Sequence, residues 1–410
     1  MSKLQTPYGP RAVFREHSYT RFWLARVCST LANQMVAVAV GWQLYDLTHS
    51  TFALGMVGLV QFLPLVLLML VVGHVADRFS RKTILAICQV VEASATSALA
   101  LATFLGHLHP LGIFCAVTAI GTARAFEGPA THSLVPALVE KQMVAQAIAW
   151  STSAFQTAAI AGPALGGLLY MFGAHVPYAV AAVLCLAASA LSYSIRPRLM
   201  PAEESARTTD SIFSGIHYIR DQKIILGAIS LDMFVVLLGG ATALLPAFAR
   251  DILHTGPWGL GLLRLAPAAG AFITSIFMAH RTFGRKTGIA MFASVIIFGL
   301  ATVGFALSQY LWLSLALLVV LGGADVVSVV IRASLVQIQT PDAMRGRVSA
   351  VNSLFVGTSN ELGEFESGVT AAWFGLIPAT VLGGVGSVII ALIWMRLFPE
   401  LRHLDRLHNG

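Results

Sequence analysis

The informative acidic residues of this 410-residue chain are those that interrupt long apolar runs. The densest cluster reads Asn360-Glu361-Leu-Gly-Glu364-Phe-Glu366-Ser-Gly368. At helical spacing Gly357, Glu361, Glu364 and Gly368 fall on one face, and Glu366 points elsewhere. Two carboxylates this near cannot both ionise cheaply in a low dielectric, which makes Glu361 and Glu364 candidates for carrying a proton. A second constellation, Arg124-Ala-Phe-Glu127-Gly128, sets a guanidinium three residues from a carboxylate on one helix face. Such a pair can serve as a proton relay, a buried substrate contact or a structural ion pair. Glu92, Asp232, Arg264, Asp325 and Arg332 are further ionisable groups in apolar surroundings. Some of them must pair. Arg264 has several possible acidic partners, Asp232 among them, and Asp232 and Glu127 stand behind Glu361 and Glu364 as proton sites. Arg26 and Asp46 sit near the ends of the first apolar stretch, where they can snorkel to the interface.

Nothing in the pattern points to an enzyme. The chain lacks a Gly-x-x-x-x-Gly-Lys-Ser/Thr nucleotide loop, a His-Glu-x-x-His pair and a Gly-x-Ser-x-Gly elbow. The four cysteines (Cys28, Cys88, Cys115, Cys185) have no metal-type spacing and read as small apolar packing residues, so neither a metal nor another cofactor is expected.

The elements that must hold these groups are membrane helices. Apolar residues make up 57% of the chain and charged residues 11%, against about 25% charged in soluble domains. Stretches such as 52–75, 142–175 and 176–195 carry no Asp, Glu, Lys or Arg, and about 20 residues suffice to span hydrocarbon. Breaking the runs at polar, Gly and Pro positions predicts twelve spans: 22–45, 52–75, 83–105, 111–135, 144–171, 176–195, 224–249, 258–280, 287–307, 311–337, 347–374 and 376–397. Most of the 26 Lys and Arg lie at the termini or in alternate loops. Arg26, Arg124, Arg264 and Arg332 fall inside apolar stretches, which leaves Arg250 as the one basic residue of an outer loop. By the positive-inside rule both termini are cytoplasmic, in a bacterial inner membrane. The net charge of +7 then reflects orientation and anionic lipid contact rather than nucleic-acid binding. The first 21 residues are polar and basic, so no cleavable signal peptide is expected and the first span acts as its own insertion signal.

Residues 196–223, with Pro197, Pro201 and Glu203-Glu204, form a cytoplasmic linker between an N-terminal half, 1–195, and a C-terminal half, 224–410. Its last part, 211–221, has the pattern of a short amphipathic helix. Landmarks recur roughly 200 residues apart: Tyr45-Asp46 with Arg250-Asp251, Pro64 with Pro267, Phe79-Ser80-Arg81-Lys82 with Phe283-Gly284-Arg285-Lys286, and Phe172-Gly173 with Phe374-Gly375.

Three motifs give this repeat a family likeness. Gly73-His-Val-Ala-Asp77-Arg78-Phe-Ser-Arg81-Lys82, between the second and third spans, resembles the signature loop of the major facilitator superfamily. Arg124-Ala-Phe-Glu127-Gly128 resembles the family's Arg-x-x-Gln-Gly, with Glu in place of Gln. Gly162-Pro163-Ala-Leu-Gly166-Gly167 in the fifth span resembles the motif of its antiporters, with alanines such as Ala154 and Ala158 replacing upstream glycines. Tyr45-Asp46-Leu-Thr and Arg345-Gly-Arg347-Val are similar to the branch that includes the bacterial enterobactin exporter and related drug exporters. The resemblance implies an all-α membrane protein of two six-helix pseudo-repeats, with a substrate site between halves. It also implies that Gly73, Asp77, Arg78, Arg81 and Lys82 form a conformational latch, with Asp77 against the start of the eleventh span.

The function expected is proton-coupled export of small, partly apolar molecules, siderophore or drug-like, by a monomer working through alternating access. An uptake symporter or facilitator is the alternative within transport, and a non-transporting sensor or scaffold the alternative outside it. The aromatics Phe62, Phe155, Phe234 and Phe355 do not identify a substrate. If the loop is a latch, Asp77→Asn lowers transport while leaving insertion intact. Measuring flux beside membrane-inserted protein checks this, and normal flux in the variant counts against the latch.

Overall fold

The computed structural model describes residues 12–197, 208–280 and 287–404, which form helices and, among the described residues, no strand. The first spans are α1 (His17–Thr48), α2 (Thr51–Leu67) with α3 (Met69–Arg78), and α4 (Arg81–Phe104). They are followed by α5 (Pro110–Leu134), α6 (Val144–Tyr170) and α7 (Val176–Tyr193). After α8 (Thr208–Asp221) come α9 (Lys223–Leu238), α10 (Ala241–Ala247), α11 (Pro257–His280) and α12 (Thr287–Leu307). The chain ends in α13 (Leu311–Gln339), α14 (Asp342–Phe374), α15 (Leu376–Leu397) and the short α16 (Pro399–Arg402).

Among the described residues nine helical stretches are long and apolar enough to cross a membrane. The other three expected spans depart for local reasons. The second is divided at Leu68, one turn after Pro64, whose ring removes a helix donor. The fifth, α6, carries Gln146, Ser151, Thr152, Ser153, Gln156 and Thr157 along its length. The eleventh, α14, carries Glu361, Glu364 and Glu366. The seventh span, expected as one helix, is broken at Gly239-Gly240 into α9 and α10 and ends in a π-helical turn, Phe248–Ile252. The amphipathic helix expected at 211–221 is α8, which packs on the end of α13 and the start of α14: Tyr218 donates to the Gln339 carbonyl of α13 at 3.1 Å, and Arg347 of α14 to Ser214 Oγ at 3.3 Å.

The chain divides into two compact units, residues 1–43 with 60–203, and residues 44–59 with 204–410. In the first unit α1 lies on α6, where a Cβ on Gly162 would come 2.5 Å from that of Gln34, and Tyr19 donates to the Ala147 carbonyl at 2.7 Å. There α2 lies on α5 at Gln61 and Gly121, and α4 on α7, with Ser189 bonded to the Ala86 carbonyl at 2.9 Å. The second unit repeats the scheme. The break between α9 and α10 presses Gly240 on Gly363 of α14, Pro267 of α11 meets Gly322 of α13, and Gly299 of α12 meets Gly384 of α15. First span with fifth, second with fourth, third with sixth is the pairing in both units.

Residues 44–59 belong to the second unit although the chain on either side belongs to the first. Asp46 pairs with Arg250, Tyr45 donates to Asp251, Gly55 touches Gly368, and Gly58 lies against the Glu361 carbonyl.

Backbone this close leaves no room for a side chain, whereas Gly112 faces open space. Gly322→Val is therefore expected to lower stability in detergent by about 1–3 kcal/mol through overpacking against Pro267. Gly112→Val should change it little, and paired thermal melts check the contrast.

Candidate functional site

The first unit holds a half-open cavity of about 300 Å³ lined by α1, α4, α5, α6 and α7. Its charged walls are Arg26, Arg124 and Glu127, and its neutral polar walls include Ser29, Asn33, Gln34 and Gln89. Helical spacing explains the grouping. Ser29 and Asn33 are one turn apart on α1, as are Gln89 and Glu92 on α4, so each pair looks out on one side of its helix.

Glu127 accepts hydrogen bonds from Ser29 Oγ at 3.2 Å and Gln89 Nε2 at 3.3 Å. Gln89 in turn accepts from Ser192 Oγ of α7 at 2.8 Å. Glu92, 0% exposed, accepts from Asn33 Nδ2 at 3.3 Å and Cys185 Sγ at 3.8 Å. The guanidinium groups go elsewhere. Arg124 Nη1 donates to Gln61 Oε1 at 3.0 Å, and Arg26 lies 5.8 Å over the Phe155 ring, with its buried Nε making no hydrogen bond within the described protein. Arg26 and Arg124 act on Glu127 through their electrostatic field.

Arg124 and Glu127 thus share a cavity without a direct bond, which sets aside the structural ion-pair alternative. Arg26 does not snorkel but forms part of the wall. Ser29, Asn33, Gln61 and Gln89 were missed from the sequence because single neutral polar residues are common in helices. Their one-turn spacing inside otherwise apolar stretches was the available signal.

The other expected residues lie elsewhere. In the second unit Asp232 and Arg332, each nearly inaccessible, form a buried ion pair, so Asp232 is the partner of Arg332 rather than of Arg264. Arg264 is opposed by the charge of Glu364. Glu361 and Glu364 occupy the stretch of α14 that Gly58 touches. Gly162 and Gly166 seat α6 on Gln34 and Met35 of α1, with Pro163 and Gly167 buried beside them, so this motif acts here as a close-packing seam.

In the signature loop Gly73 and Arg78 lie on α3. Arg81 donates to the Ser133 carbonyl at 2.9 Å and Lys82 to the Ile195 carbonyl at 3.0 Å, placing positive charge at the C-terminal ends of α5 and α7. The Asp77 side chain and the second copy, Arg281, Arg285 and Lys286, lie outside the described residues.

Comparison with known proteins follows this geometry. The family profile described as transmembrane secretion effector matches residues 8–408. The enterobactin exporter EntS of Citrobacter koseri is 26% identical over 408 residues, covering 98% of this chain and 94% of the relative. EntS of Shigella dysenteriae is 25% identical over 409 residues, covering 98% and 95%. A bacterial homologue of the human lysosomal transporter Spinster, solved inward-facing and unoccupied, matches with a TM-score of 0.76 at 14% identity, over 95% of this chain and 98% of that one. The nucleoside transporter NupG matches at 0.67 and 15%, over 93% and 99%.

Removing one partner of a buried ion pair leaves an uncompensated charge, whereas groups bonded to separate partners lose little from each other's removal. A double-mutant cycle on Asp232→Asn and Arg332→Gln should give a coupling of about 2–3 kcal/mol in detergent unfolding. The same cycle on Arg124 and Glu127 should give clearly less, and equal couplings would contradict the bonding described.

Proposed function

The chain belongs to the transmembrane secretion effector family of major facilitator transporters, and from that premise we propose that it exports small, partly apolar molecules in exchange for protons. It is a multi-pass membrane protein and a transporter rather than an enzyme. Export as the direction is supported by the enterobactin exporters that align over nearly its whole length. Proton exchange is supported by one observation above the rest: Glu127 lines a membrane-embedded cavity and is held there by neutral donors alone.

A carboxylate with no cation bonded to it can take up and lose a proton without breaking an ion pair. Asp232 is tied to Arg332, and Glu364 is set against Arg264. Glu127 is accordingly assigned the exchanging proton, while Glu361 and Glu364 hold the stretch of α14 against which residues 44–59 pack. Alternating access requires that Asp46 part from Arg250, and Tyr45 from Asp251, in one of the two states. The halves proposed to move are 1–195 and 224–410, joined by a cytoplasmic linker, with both termini cytoplasmic in the inner membrane and the Asp77 loop as latch.

The test begins with metabolites in the medium of cells with and without the gene, then follows the compound so found in proteoliposomes under an imposed pH gradient. Glu127→Gln is expected to abolish gradient-driven movement while exchange without a gradient partly survives. Glu361→Gln or Glu364→Gln should slow both modes together. Gradient-driven flux intact in Glu127→Gln, or driven in the same direction as the proton, removes this reading.

A further inference from the structure

Glu92 takes no part in the cavity wall, yet it is the most completely enclosed carboxylate among the described residues, at 0% exposure. It lies one turn beyond Gln89, the residue that donates to Glu127. The two glutamates feel each other's charge. Three helices supply their donors, Ser29 and Asn33 from α1, Gln89 from α4 and Cys185 from α7, while Ser192 of α7 donates to Gln89 and α5 brings Glu127 itself. The charged and titratable groups facing this cluster are Arg26 and Cys28 of α1, Cys88 of α4, Arg124 of α5 and Cys185 of α7, and neither arginine donates a hydrogen bond to a carboxylate. The α6 wall contributes Phe155 and no charge.

Enclosing an ion without a bonded counter-ion is expensive, and enclosing two like ions side by side is more so. An amide, a thiol and a hydroxyl can each satisfy a carboxyl in either protonation form, since its oxygens accept in both. We propose that Glu92 and Glu127 form a store for one exchangeable proton, with Glu92 the sealed member and Glu127 the member that opens on the cavity. When the pair discharges, the one proton held on Glu92 passes to Glu127 and leaves from there for water in the cavity; uptake runs in reverse. Interacting carboxyls of this kind titrate as a pair rather than singly. The store rests on the proton-exchange reading above and adds to it a residue that does not touch the cavity.

Infrared spectroscopy of the purified full-length protein in detergent, in H2O and D2O, reads a protonated carboxyl directly. A carboxyl band at neutral pH is expected in the unmodified chain, absent from Glu92→Gln and unchanged in Glu400→Gln. In Glu127→Gln the band should persist but exchange with D2O about tenfold more slowly or less, because its way out is gone. Cys185→Ala removes a donor to Glu92 and should shift the band. A band retained at full intensity in Glu92→Gln, or exchanging at an unchanged rate in Glu127→Gln, overturns the store. Should Glu92→Gln fail to fold, a band unmoved in both Cys185→Ala and Asn33→Ala overturns it equally. The spectra also separate the two readings: a Glu92 band without proton-driven flux sinks export by proton exchange alone, and flux without the band sinks the store alone.

Discussion

An ion in hydrocarbon must find a compensating group inside the protein, and the position of each ionisable side chain in these helices follows from that constraint. The two units meet it by different chemistry. The second sets opposite charges together at Asp232 with Arg332 and at Glu364 with Arg264, and keeps a hydroxyl donor, Thr370, for Glu366. The first surrounds its carboxylates with neutral donors: Ser29 and Gln89 at Glu127, Asn33 and Cys185 at Glu92. Coulomb attraction fixes the protonation of a paired carboxylate, whereas an amide or hydroxyl shell leaves it free to change. Repeated architecture therefore carries unlike chemistry in its two copies.

Bringing donors from three helices to one pair of carboxylates requires the helices to approach closely, and small residues allow it. Gly162 and Gly166 seat α6 on α1 beside Gln34 and Met35, and Gln34 and Phe155 then face the same cavity. In the second unit the gap between α9 and α10 lets Gly240 meet Gly363, two residues from Glu361 and one from Glu364. A bulkier residue at any of these positions would separate the helices by more than a hydrogen bond tolerates. Packing and polar chemistry are thus one constraint read at two distances.

Most of the fold was legible in the sequence because hydropathy and charge placement are long-range averages. Twelve spans, the amphipathic α8 and the repeat survive errors of a few residues. Broken helices were less legible. Pro64 was visible, but the break at Gly239-Gly240 depends on what α14 presents opposite it, which no local pattern encodes. At the site, Arg124 and Glu127 stood out as charges in apolar surroundings, and their spacing on one helix face suggested a pair. Their separate partners, Gln61 for one and Ser29 with Gln89 for the other, depend on helix rotation. Arg26 was misjudged because position near a helix end suggests snorkelling only when the side chain faces lipid, and here it faces Phe155.

One helix ties these features together. α1 runs unbroken from His17 to Thr48 and contributes residues to both compact units, changing from one to the other between Gln43 and Leu44. Ser29 and Asn33 on it bond Glu127 and Glu92, while Tyr45 and Asp46 bond Asp251 and Arg250. Ser29 and Asp46 are separated by about 25 Å of continuous helix at 1.5 Å per residue. Along this one element, carboxylates are met in two ways: by neutral donors where Ser29 and Asn33 reach Glu127 and Glu92, and by a guanidinium where Asp46 meets Arg250. The two ways of compensating a buried or half-buried charge therefore adjoin on a single continuous helix.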